Sequence, residues 1–126
     1  MANNLANWGE DATMDWLMGG TTPTRPTSRN VKLHISNPGE DGLDGAASNS
    51  TRKAATFGAS SGGTSSNSAD INWTNVPTTE QYQYISIWDD LTAGHCLWHG
   101  PLTSPVSVTA GDDFTIATGD LSLTIS

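Results

Sequence analysis

Within the six residues His95-Cys96-Leu97-Trp98-His99-Gly100 lie the chain's only cysteine and two of its three histidines. Imidazole and thiolate are the ligands of zinc sites, and a cysteine beside a histidine is the core of one kind of nucleophilic catalyst. Spacing decides against the metal. In an extended strand His95 and His99 share a face but stand about 13 Å apart. Cys96 is expected to point to the opposite face, together with Trp98. Only His34 remains as another soft ligand, in a different segment. No metal site and no cofactor are therefore expected. A catalytic triad needs a base and an orienting group assembled in space, and no nucleophile elbow is expected here. The simpler reading has Cys96 packing as a small hydrophobe, with Trp98 or Leu97 in the core.

Acidic pairs are the second candidate. Glu40-Asp41, Asp89-Asp90 and Asp112-Asp113 all fall in turn-like segments. Asp41-Gly42-Leu43-Asp44-Gly45 resembles a piece of a calcium loop without its alternating acids and closing glutamate. Aspartates in turns usually accept hydrogen bonds from their own backbone. Aromatic side chains are the third candidate. Trp8, Trp16, Trp73, Trp88 and Trp98 would suit sugar or protein binding if exposed. Core packing is the expectation for Trp88 and Trp98.

The elements that must position these residues follow from periodicity. At 100° per residue Leu5, Trp8, Ala12 and Trp16 form one stripe of a helix, with Asn3 or Asn4 to cap it and Gly19-Gly20 to end it. Met14, Leu17 and Met18 lie off that stripe. A helix with two apolar sides either has two partners or is sunk in one core, and the sequence leaves both open. Thr21–Asn30 (TTPTRPTSRN) reads as an extended linker. Beyond it, alternation predicts strands at Val31–Ile35, Lys53–Phe57, Ala69–Trp73, Tyr84–Trp88, Cys96–His99, Val106–Val108, Phe114–Ala117 and Leu121–Ile125. The Gly-, Pro-, Ser- and Asp-rich clusters between them, GPLTSP included, read as turns, and Gly58–Ser68 as a flexible hairpin loop. The fold expected is all-β: a β-sandwich or jelly roll of about eight short antiparallel strands, preceded by a short N-terminal helix and extended linker. Residues 1–30 form a docking arm and residues 31–126 the sandwich domain.

Charge narrows the function classes. The net charge is -8, and all five cations, Arg25, Arg29, Lys32, Arg52 and Lys53, fall between positions 25 and 53. The acidic balance argues against nucleic acid as the main partner, because phosphate contacts need a basic face. The basic segment could meet an acidic neighbour or another copy's acidic half, or simply balance charge within the chain. A single cysteine makes no internal disulfide. MANNLANWGEDATMDW lacks the features of a signal peptide, and no apolar run is long enough to span a membrane.

The order of segments resembles a family of small bacteriophage proteins described as tail-fibre-like or minor virion structural proteins. The resemblance rests on a short helix ending in glycine, a Thr/Pro linker, and the runs VKLHISNPGEDG, ATFGASSGGTSSNSADINW and YISIWDDLTAGHCLWHGPLTSPVSVTAGDDFTIATGDLSLTI. It covers nearly the whole chain. ISNPGEDGLDG and Cys96 depart from the usual pattern, where small residues and an aliphatic residue are expected. The resemblance implies a non-enzymatic structural component on the virion exterior, as capsid decoration or tail fibre, made in the bacterial host cytoplasm. It further implies contacts with other virion proteins of capsid or tail, and a homo-oligomer, with a trimer by analogy with phage fibres. No membrane or nucleic-acid partner is implied. Leu5, Trp8, Met14, Trp16, Leu17 and Met18 are the expected apolar anchors, and Arg25, Arg29 and Lys32 the charge contacts. The alternative is a carbohydrate-binding module for host attachment.

Overall fold

The structure is a computed structural model that describes residues 4–125. It is an all-β sandwich with one helix. The elements in chain order are β1 (Asn4–Leu5), α1 (Asn7–Met18), β2 (Asn30–His34), β3 (Lys53–Ala54), β4 (Thr64–Ser66), β5 (Ile71–Trp73), β6 (Glu80–Trp88), β7 (Cys96–Val108), β8 (Phe114–Ile116) and β9 (Ser122–Thr124). One layer is a five-stranded antiparallel sheet in the order β1-β7-β6-β2-β3. Facing it are two two-stranded ribbons, β5-β8 and β4-β9.

Alternation builds the core between these layers. Val31 and Leu33 of β2, Ile85 and Ile87 of β6 and Trp98 of β7 point one way and meet Ile71, Trp73, Phe114 and Ile116 of the ribbons. Phe114 packs at the centre, its ring 5.5 Å from Trp73 and 5.2 Å from Tyr82. Such aromatic pairs add a directional preference to plain burial. Buried Asn67 stitches the ribbons together, donating to the Ala69 and Ala117 carbonyls and accepting from the Leu121 amide.

Several strand expectations need correction. β3 spans only Lys53–Ala54 of the expected Lys53–Phe57, and β6 begins at Glu80 rather than at Tyr84. β4 lies in the stretch read as a flexible hairpin loop. Thr64, Ser65 and Ser66 carry no apolar alternation, and their strand exists because the backbone pairs with β9. GPLTSP is not a turn either. β7 runs unbroken from Cys96 to Val108, so two expected strands are one. Tyr82 pairs with Val106 and Tyr84 with Pro101, leaving residues 102–105 opposite Gln83 alone. Proline lacks a ladder donor and is tolerated at such irregularities, where Pro105 sits.

The helix starts after Ala6, with no side-chain cap. Asn4 and Leu5 belong to β1, where Leu5 pairs with Trp98, so Leu5 is not part of the expected helical stripe; Asn3 lies outside the described residues. Backbone carbonyls replace the cap: the Ala6 amide donates to Leu97 and the Asn7 amide to Glu40. Gly19 ends the helix in the left-handed conformation, at φ 79°, as expected of a glycine after the last turn. Gly9 lets the helix approach β7 closely, because a Cβ there would lie 2.8 Å from the Leu97 carbonyl oxygen.

Candidate functional site

The HCLWHG segment divides between two environments. His95 precedes β7 and is exposed. Its ring stacks on Trp8 with centroids 4.4 Å apart, and its Nδ1 lies 3.0 Å from an Asp89 carboxylate oxygen. The expected separation of faces fails at Leu97. Ile87 pairs with Trp98 and Trp88 with Cys96, so Leu97 is an extra residue, a β-bulge. The bulge reverses alternation. Trp98 faces the core, whereas Cys96 joins Trp88 and Ala6 in a second cluster on the outer face. His99, across from Ser86 and Lys32, lies on that outer face too.

This outer face carries a buried polar layer that the sequence reading did not foresee. The segment from Asn37 to Ala46 folds over it. Gly42 fits against Cys96 and Trp88 so closely that a Cβ there would stand 2.6 Å from Sγ. Beneath this cover His34, Ser86 and His99 are almost wholly buried. His34 Nδ1 lies 2.8 Å from the Asp44 carbonyl oxygen, which can only accept, so Nδ1 carries the proton. Nε2 therefore accepts from the Ser86 hydroxyl at 2.7 Å. Ser86 Oγ in turn accepts from Trp88 Nε1 at 2.7 Å. Burial drives the His34 pKa down from 6.5 to about 4, only partly opposed by the Asp44 carbonyl, so the ring is neutral at pH 7. Burial likewise pushes the Cys96 thiol up to about 11. The thiol contacts the Trp98 carbonyl.

Ser86 donating to a histidine has the connectivity of an activated nucleophile. Here both residues are sealed from solvent, and the serine oxygen is already occupied by the indole N–H. The arrangement serves as a hydrogen-bond relay that fixes the cover to the sheet. A signal for it existed: Lys32 and His34 alternate with the inward Val31 and Leu33, and Ser86 sits between Ile85 and Ile87. Gly58-Ala59-Ser60-Ser61-Gly62 spells the letters of a nucleophile elbow. It lies on an exposed connection between short strands, without the helix that defines that motif.

The turn aspartates cap backbone, as expected. Asp41 accepts from the Leu43 amide, Asp90 from Thr92, Asp112 from Thr109 and Asp113 from Asn75. Among the described residues no cluster of three or more His, Cys, Asp or Glu side chains could hold a metal ion.

The expected anchor residues form a second feature. Leu5 is half-buried against the core, and Trp8 is half-buried over His95. Met14, Trp16, Leu17 and Met18 are 58, 68, 56 and 72% exposed. Leu5, Trp8, Ala12 and Trp16 line one side of an apolar groove of about 680 Å³. Its other walls are Pro23, Pro26, Leu97, Trp98 and Ile125, with Arg25 at the rim. Arg25 also lines an adjoining cleft, where Arg29 stands and donates to the Pro26 carbonyl. Lys32 is elsewhere: its ammonium lies 5.8 Å from the Trp88 ring, on the outer face of the sheet. Partial burial, and then the Arg52 charge, lower its pKa. Arg52 itself covers Trp88 at 4.2 Å and donates to the Asp90 and Ala93 carbonyls. The structure thus brings Leu5, Trp8, Trp16 and Arg25 together, turns Met14, Leu17 and Met18 outward, and separates Lys32 from both groups.

The helix is fastened to a sheet edge and leaves an apolar side exposed. A family model described as podophage GP4 fiber I protein gp80 matches residues 4–124. The chain belongs to that family. It is accordingly a phage fibre structural protein, and its place is in the virion. No curated protein matches the chain. Among the described residues no helix is long and apolar enough to cross a membrane.

Proposed function

We propose that this protein is a non-enzymatic subunit of an exterior phage fibre and that α1 is its docking element. The observation that carries this reading is the outward face of α1. Met14, Leu17 and Met18 recur at i, i+3 and i+4 and stand more than half exposed on a helix that β1, Gly9 and β7 hold in place. A contiguous exposed apolar patch is a liability on an isolated monomer and an asset at an interface. Residues 1–30 act as the docking segment and residues 31–126 as the sandwich body. Leu5, Trp8 and Trp16 shape the groove, while Met14, Leu17 and Met18 insert into a neighbour. Arg25 and Arg29 are the adjacent charge contacts, and Lys32 is a more remote one. The family description favours a fibre over capsid decoration. The assembly is a homo-oligomer, with a trimer as the closed form.

The test is substitution of Met14, Leu17 and Met18 together by serine, followed by measurement of incorporation into particles. Removing the whole segment is a poorer test, because β1 and α1 also complete the sheet edge. The reading predicts a folded protein that is lost from particles. Normal incorporation overturns it.

Carbohydrate binding for host attachment is the second reading, favoured by Trp16 standing exposed beside the groove. The groove lining sets Trp8, Trp16 and Trp98 among Leu, Pro, Ala and Ile, with the hydroxyls of Thr13, Thr22 and Thr24 and the Arg25 guanidinium as its polar side-chain groups; it holds no carboxylate or amide side chain to fix a sugar. Apolar side chains of a protein partner fit it better. A glycan array showing a signal that Trp16→Ala abolishes would reverse this preference.

A further inference from the structure

We propose that successive copies of this chain dock head to tail, the outward face of α1 from one copy seating in the apolar groove of the next. In this contact Glu10 and Asp11 pair with Arg25 and Arg29 of the neighbour. The proposal rests on the reading of α1 as a docking element and specifies its occupant as a second copy.

The two faces of α1 are different surfaces. On a helical projection Trp8, Ala12 and Trp16 form the stripe that, with Leu5 of β1, lines the chain's own groove, while Glu10, Asp11, Met14, Leu17 and Met18 occupy the other side. One face is a wall of a receptor and the other is an insert. Charge sets the pairing. α1 holds Glu10, Asp11 and Asp15 and no cation. Asp15 is engaged by the Thr21 hydroxyl, whereas Glu10 and Asp11 stand exposed beside the apolar insert. Packing α1 against α1 of another copy gathers like charges on one contact. The groove offers the opposite sign. Arg25 stands at its rim and Arg29 in the cleft alongside, and among the described residues no carboxylate pairs with either. In a chain of net charge -8 an unpaired arginine pair beside an apolar groove is the natural receptor for an acidic, apolar helix face. Because insert and receptor are different patches, the contact is heterologous, and such contacts close into rings when the rotation permits.

The test is reciprocal charge reversal, read by sedimentation equilibrium at low and high salt. The wild-type chain is expected to self-associate, less strongly at high salt. R25E/R29E and E10K/D11K are each expected to weaken association by on the order of tenfold or more. The variant carrying all four changes is expected to regain it, which a misfolded chain could not do. The proposal is overturned if the wild type stays monomeric at tens of micromolar, if both reversals leave association unchanged, or if the four-residue variant fails to recover. A monomeric wild type whose Met14, Leu17 and Met18 are still needed for incorporation would show α1 docking on a different virion protein. That result sinks this inference and leaves the docking role standing.

Discussion

Replacing Ser86 with alanine tests the buried relay directly. The hydroxyl is the middle of three groups: it accepts from Trp88 Nε1 and donates to His34 Nε2, both at 2.7 Å. Ser86 is completely buried, so water cannot take its place without opening the Asn37–Ala46 cover. Alanine leaves an indole N–H and an imidazole nitrogen without partners. Each such orphaned polar atom costs about 1–3 kcal/mol, so the substitution is expected to cost about 2–5 kcal/mol. For a chain of this size that lowers the melting temperature by about 8–19 °C. Urea denaturation followed by tryptophan fluorescence measures the free energy. Trp88→Phe removes the donor and leaves Ser86 a partner in His34. The double variant is therefore expected to be more stable than the sum of the single losses, with a coupling of at least about 1 kcal/mol. A Ser86→Ala cost below about 1 kcal/mol, or strict additivity, would refute the relay as a source of stability.

Other outcomes follow from the same geometry. A histidine held at a pKa of about 4 when folded and near 6.5 when unfolded is neutral in the native state. Its contribution is complete above pH 6.5 and is lost as pH falls toward 4, amounting to about 3 kcal/mol over that window. His34→Gln should flatten the fall in stability between those values, and an unchanged pH profile would contradict the assignment. Gly42 has φ +74° and no room for a Cβ, so Gly42→Ala should loosen the cover and expose Cys96. In the native protein the buried thiol, with its pKa near 11, should resist a thiol reagent at pH 8, and the variant should react markedly faster. Equal rates would show that the cover does not seal the cysteine. Trp98→Ala should cost about 3–5 kcal/mol, the range for emptying a large aromatic core site, and an unchanged melting temperature would remove Trp98 from the core.

Much of this arrangement could be read from residue order. Trp8 and Ala12 of the expected stripe marked the helical side turned to the sheet and Gly19 the helix end, whereas Leu5 fell in β1 and Trp16 stands 68% exposed. Val31 and Leu33 gave the inward side of β2. Ile71 with Trp73, and Phe114 with Ile116, gave the facing ribbon. The failures have local physical causes. β4 consists of threonine and serine, and its strand depends on β9, far along the chain, so no nearby pattern reports it. The run from Gly100 to Pro105 is composed like a turn, yet β7 absorbs it as an irregularity against Gln83. The bulge at Leu97 was the costliest omission. Alternation assumes one residue per register step, and a single extra residue moved Cys96 to the face of His99 and left Trp98 in the core. The polar layer under Gly42 was hidden for a related reason. It assembles from β2, β6, β7 and a covering loop, and only the three-dimensional register brings His34 to Ser86. The exposed side of α1 was legible as a second apolar face, but its exposure depends on how β1 and Gly9 seat the helix.

A cryo-EM reconstruction of the phage particle, with this chain located in it, tests the central claim most directly. Met14, Leu17 and Met18 of each copy are expected to be buried against a neighbouring subunit of an exterior fibre. A map in which that face of α1 points into solvent, with subunits meeting elsewhere on the sandwich, would contradict it.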